Sequence, residues 1–142
     1  MKKIKVLTPD SWFSKCIRAR NNWTCEYSGK SFPRNSQGLH CSHFHGRRNY
    51  GLRFEPLNCF AHSYASHAYL GENPSIFNAW ALEQLGECAM DILQEKFNDI
   101  GAAKSVRKSL KEVSNHYRDE YHRILERRDQ GETGRIEIVG YL

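Results

Sequence analysis

The chain has 142 residues, 39% of them apolar, and a mean hydropathy of −0.71. One domain with a real core is expected, and no run approaches the ~20 apolar residues that a membrane span needs. The formal net charge is +5 and uneven: residues 1–57 hold 11 Lys and Arg against 3 Asp and Glu, and residues 58–142 hold 10 against 13, which points to a polyanionic partner for the first part.

Thr8-Pro9-Asp10-Ser11 reads as a helix start, with Thr8 as N-cap and Pro9 at the first position. Trp12, Phe13, Cys16 and Ile17 then share a face, so this N-terminal helix unit, about residues 1–22, should end near Arg20. NNWTCEYSGKSFPRNSQG is turn-rich and is expected to be loop. A strand over Leu39–Phe44, the turn HGRRNYG and a second strand over Leu52–Phe54 should follow. Residues 59–70 then suit a short helix carrying His62, Ser63, Ser66 and His67.

Asn73-Pro74 opens the next helix, with Ile76, Phe77, Trp80 and Leu85 on its core face and Gly86 at its stop. Ala89, Ile92, Leu93 and Phe97 pattern another helix. From about Ala102 to Arg128 the spacing predicts one long charged helix, completing a helical extension over residues 73–128. The tail, residues 129–142, alternates enough for a last strand or for an ordered arm on a partner. The N-terminus MKKIKVLTPD has lysines but no apolar run, so no signal peptide is expected. Five cysteines, an odd number without a disulfide-like framework, suit a reducing cytosol.

The stretch SHFHGRRNYGLRFEPLN, Ser42 to Asn58, joins histidines and arginines to short apolar segments. Five of the seven histidines (His40, His43, His45, His62 and His67) lie between residues 40 and 67. A lone histidine is ordinarily structural, but a cluster in a hairpin-and-helix setting points to a metal-assisted site. The residue types suit phosphodiester hydrolysis. A neutral imidazole such as His43 can take a proton from water, and a divalent cation stabilises charge on the leaving oxygen. A second imidazole, His67, with His45 or His62 as helpers, can ligate that cation. Asn58 can orient the base or hold the strands together, and Arg47, Arg48 and Arg53 suit phosphate contacts.

His, Asn and His in that order, on a hairpin followed by a helix, resemble the arrangement of His-Me finger (HNH) nucleases. CEYSGK, LHCSHFHGRR, LRFEPLN, SYASH, GEN and FNAWALEQLGECAMDIL together resemble phage recombination nucleases of the NinG (Rap) family. The likeness covers about residues 23–125 and is strongest from Leu39 to His67. It implies an α+β fold with a ββα-metal core over residues 23–72. It also implies a metal-dependent DNA endonuclease that nicks or cuts, with branched recombination intermediates as candidate substrates, in the bacterial cytoplasm as a phage or mobile-element protein. On that resemblance His43 is the general base, Asn58 the middle Asn and His67 the metal ligand borne by the helix.

The departures from the family pattern matter equally. Its structural zinc is held by two Cys-x-x-Cys pairs, whereas this chain has Cys25 and Ser28 in the first and Ser63 and Ser66 in the second. Serine hydroxyls are poor zinc ligands, so no structural zinc is expected there. A shifted site of Cys25, Cys41, Cys59 and His62 is the competing arrangement; otherwise Cys41 and Cys59 are small core residues. Ser42 stands where many HNH sites place an acidic ligand, so the cation, Mg2+ or Mn2+ in preference to Zn2+, would rely on imidazoles or substrate phosphate. The alternative function is a non-catalytic DNA-binding module derived from such a nuclease. An RNA target is not separated from DNA by these residues. A two-fold homodimer would suit paired cuts and a monomer would suit nicking.

Overall fold

A computed structural model describes residues 3–142. Its elements in chain order are α1 (Thr8–Arg20), β1 (Leu39–His43), α2 (Tyr50–Arg53), a 3-10 turn (Pro56–Asn58) and β2 (Cys59–Ser63). There follow α3 (Tyr64–Glu72), α4 (Pro74–Leu85), α5 (Glu87–Asn98), α6 (Ile100–Lys108) and α7 (Leu110–Asp129). The fold is α+β, mostly helical with a two-stranded antiparallel sheet. Among the described residues no helix is long and apolar enough to cross a membrane.

The start of α1 is set by Pro9 in its first turn and by the Asp10 carboxylate, which accepts the Leu7 N–H at 2.8 Å. Leu7, rather than Thr8, is therefore the N-cap. Phe13, Cys16 and Ile17 face the long helix α7, where the Phe13 and Tyr117 rings meet edge-on with centroids 4.9 Å apart. Tyr117 is fully buried and its hydroxyl donates to the Phe54 carbonyl at 2.5 Å. Each such side chain contributes on the order of 2 kcal/mol by burial, so the α1–α7 pair is the frame on which the sheet rests.

β1 and β2 pair with Leu39 opposite Ser63 and His43 opposite Cys59. Strand alternation then divides the sheet. Leu39, Cys41 and His43 share a face with Cys59 and Ala61, against the core built on α1 and α7. His40, Ser42, Phe60 and His62 lie on the other face, where Phe60 packs with Leu70, Phe77 and Ala81 of α3 and α4.

Three expectations are corrected. The second strand is Cys59–Ser63, not Leu52–Phe54. The Asn49 side chain accepts from the Gly51 N–H at 2.8 Å and starts a helical turn there, while all five β2 residues are buried and so carry no polar alternation. The helix expected from residue 59 begins at Tyr64, where the Ser63 hydroxyl accepts the Ser66 N–H. The long C-terminal helix breaks at Ser109 (φ −117°, ψ 27°), a turn marked by neither Gly nor Pro. Gly86, at φ +83°, does separate α4 from α5, a conformation that favours glycine.

The tail forms no strand. It is an arm laid on its own chain: Ile136 is buried and its N–H donates to the Arg20 carbonyl, and the Tyr141 N–H donates to the Tyr117 hydroxyl.

Candidate active site

β1 ends at His43, whose half-buried ring lies 6.2 Å from that of Phe13. Its Nε2 stands 2.9 Å from the Arg53 carbonyl oxygen. A carbonyl only accepts, so Nε2 carries the proton and Nδ1 the lone pair. Burial pulls the imidazole pKa down to about 4, with the Arg53 carbonyl opposing and the Arg47 charge adding to the fall. The ring is therefore neutral at physiological pH.

Asn58 is fully buried in the 3-10 turn. Its side chain accepts from the His45 N–H at 2.9 Å and donates to the carbonyls of His45 and Leu52 at 2.9 and 3.1 Å. It thus staples the segment after β1 to the segment before β2. Of the two roles expected for it, the structure gives it the one that holds the strands.

Arg53 corrects an expectation. It is 3% exposed, and its guanidinium donates to the Asp10 carboxylate at 2.9 and 2.5 Å and to the Lys5 carbonyl at 2.8 Å. Buried and already paired, it has no face for phosphate. Its backbone carbonyl, not its charge, touches the site.

His67 is exposed on α3, and its Nδ1 lies 3.1 Å from the Ser42 hydroxyl. The His40 ring is beside it, with centroids 5.5 Å apart. The helpers suggested for it do not join it. His45 packs on Phe44 and on Phe97 of α5. His62 is fully buried among Phe60, Phe77 and Trp80, and neither ring nitrogen has a hydrogen-bond partner. It pairs across the sheet with His40, but its ring is sealed in that aromatic box, so its placement as a metal helper gives way to a core role.

Cys25, Ser28, Ser63 and Ser66, the four positions at which the resemblance would place a zinc knuckle, meet in space. The Cys25 sulfur accepts the Ser28 N–H at 3.4 Å and lies 3.7 and 3.5 Å from the hydroxyls of Ser63 and Ser66, which are 3.0 Å apart. Burial pushes the Cys25 thiol up, but hydrogen bonds from Ser28 and Ser66 outweigh it and bring the pKa to about 6. The shifted Cys25, Cys41, Cys59 and His62 set does not form, because Cys25 belongs to this serine cluster and His62 faces the opposite side of the sheet.

Instead Cys41, His43 and Cys59 stand together, their ligand atoms all within 4.8 Å of one another. Sequence reasoning missed this grouping, although the Cys-x-His spacing on a strand places Cys41 and His43 on one face. It also passed over Ser42 as the partner of His67.

His43, His67, His40 and Cys41 line a groove of about 740 Å3, together with Lys15, Arg18 and Arg47. A second groove of about 500 Å3 shares Ile4 with it and is lined by Lys5, Arg48, Tyr50, Lys104 and Arg107. Arg47 and Arg48 thus face different grooves. Comparison with protein-family models, with curated proteins and with solved structures found no match.

Proposed function

We propose that the chain is a divalent-metal-dependent DNA endonuclease in which β1, β2 and α3 serve as a ββα-metal core. The observation that carries this reading is His43: a neutral imidazole at a strand end, fixed by the Arg53 carbonyl, its lone pair on Nδ1, in a groove with Arg47, Lys15 and Arg18. The meeting of Cys25, Ser28, Ser63 and Ser66 supports it further, since these are the positions at which the resemblance would place a zinc knuckle.

In this mechanism Nδ1 of His43 takes a proton from water as the water oxygen attacks phosphorus. The bond from phosphorus to the leaving oxygen breaks, and that oxygen is protonated from solvent. The imidazolium that forms keeps its Nε2–H on the Arg53 carbonyl, so the ring does not turn during the transfer. Arg47 engages backbone phosphate, and Asn58 holds the segments on either side of the base.

His67 and its neighbour His40, both lining the groove of His43, are the side chains that would hold the cation, with the buried Ser42 hydroxyl fixing the His67 ring through Nδ1. No carboxylate joins them in a ligand group among the described residues, so they suit an ion whose shell is completed by water and substrate phosphate, which favours Mg2+ or Mn2+. When bound, the ion supplies charge stabilisation at the scissile phosphate. The same absence of a carboxylate favours a second reading, a DNA-binding module without catalysis.

Supercoiled plasmid incubated with Mg2+ or Mn2+, against an EDTA control and an RNA substrate, tests the proposal. Metal-dependent conversion to nicked or linear DNA is expected. Tight DNA binding with no conversion in any metal makes the binding module the function.

A further inference from the structure

We propose that Cys41, His43 and Cys59 form a site for one Zn2+ ion on the α1-facing side of the sheet, separate from the cation attributed to His67. The register makes the site. His43 pairs directly with Cys59, and Cys41 lies two residues back on the same face, so two sulfurs and one imidazole converge within 4.8 Å.

The second shell suits a metal ligand. Histidines that ligate metals commonly donate their other N–H to a carbonyl or carboxylate, and the Nε2 of His43 donates to the Arg53 carbonyl at 2.9 Å. That carbonyl is in turn held in place because the Arg53 side chain is buried on Asp10.

The donor set selects the metal. Two sulfurs and one nitrogen suit Zn2+, a borderline-soft ion that takes four ligands, and disfavour Mg2+, which demands oxygen. Cys59 is sealed, whereas Cys41 and His43 line the open groove, leaving a route inward and a fourth position for water. A three-ligand set of this kind is the pattern of an open zinc site rather than a closed structural one.

One corollary rests on the proposed function: zinc on His43 takes the lone pair that the base needs, so Zn2+ loading and cleavage exclude each other. The site itself does not depend on that reading.

Co2+ titration of the full chain under a thiol-free reductant tests the site without any cleavage assay. One equivalent of Co2+ should give tetrahedral d–d bands and a sulfur-to-cobalt charge-transfer band, both displaced by Zn2+. Cys41→Ala should abolish the charge-transfer band or weaken binding at least tenfold, whereas Cys25→Ser and Cys88→Ser should keep it. Cys41 is the better target because it is half-buried at the groove, whereas Cys59 lies in the core. Alkylation of the wild type read by mass spectrometry needs no variant: Zn2+ should protect Cys41 and leave exposed Cys88 reactive.

Absence of the band in the wild type, its loss in Cys25→Ser instead of Cys41→Ala, or Cys41 alkylation unchanged by Zn2+ would overturn the site. A cobalt band, together with no cutting by the same chain freed of Co2+ and Zn2+ and supplied with Mg2+ or Mn2+, would uphold the site and sink the nuclease reading alone.

Discussion

Nε2 of His43 and the carbonyl oxygen of Arg53 stand 2.9 Å apart, across the turn from β1 to α2. This contact decides which nitrogen of the imidazole carries the proton, and it joins the candidate base to a buried ion pair. Arg53 is clamped to Asp10, and Asp10 caps α1 through the Leu7 N–H. Helix start, buried pair and candidate base are thus one connected unit, in which the arginine acts through its backbone.

The buried pair should matter for stability rather than for phosphate binding. Asp10 and Arg53 are 8% and 3% exposed, so removing either leaves a buried charge without its partner, at a cost of about 3–5 kcal/mol. Arg53→Met and Asp10→Asn should each show this loss in urea denaturation, and Asp10→Leu with Arg53→Met should recover part of it, less about 1 kcal/mol for the cap that Asp10 gives the Leu7 N–H. DNA affinity of the folded fraction should stay near wild type. A selective loss of affinity with unchanged stability would return Arg53 to the interface.

Asn58→Ala should cost about 2–3 kcal/mol, because it leaves the His45 N–H and two carbonyls without their partner in the core. Cleavage by the folded protein should fall but not vanish, since Asn58 positions the turn and does not touch the reacting atoms. Complete loss of cleavage at full stability would make it a catalytic residue.

Acid should destabilise the fold through His62 as well as His43. Burial lowers the pKa of each from 6.5 to about 4. Between those values the unfolded chain binds the extra proton, so their stabilisation is complete above pH 6.5 and is lost as pH falls toward 4. Each histidine adds a slope of about 1.4 kcal/mol per pH unit in that window. His62→Phe should fill the same aromatic box and flatten the profile by about one proton. Equal slopes for wild type and variant would contradict the buried neutral His62. For the same reason cleavage should not lose its unprotonated base until the pH approaches 4.

The serine cluster should accept zinc once its three serines are replaced by cysteine. In a Cys41→Ala background, Ser28→Cys, Ser63→Cys and Ser66→Cys together with native Cys25 should bind one Co2+ with a four-thiolate spectrum and raise the melting temperature in Zn2+. A chain that stays spectrally silent would show that these four positions cannot close on a metal.

The sequence was legible where local chemistry agrees with the fold. Pro9 and Pro74 mark helix starts, Gly86 marks a stop, and His43 and His67 fall on a strand end and a helix as expected. It was misleading where burial covers both faces. Cys59–Ser63 reads as helix because no polar residue alternates with its apolar ones, although His62 is as buried as Phe60. Leu52 and Phe54 alternate like a strand yet sit in and beside a helical turn capped by Asn49. The pairing of Arg53 with Asp10, 43 residues away, has no local signature, so the guanidinium read as a phosphate contact. The Cys41, His43 and Cys59 grouping needed the register of β2, and misplacing that strand hid it.

The central claim is that His43 activates water. Nicking of supercoiled plasmid by wild type and His43→Ala, with DNA binding followed separately, tests it most directly. Loss of a general base should slow cleavage by about 10²–10⁴ while affinity is retained. Equal nicking by the two proteins would contradict the assignment.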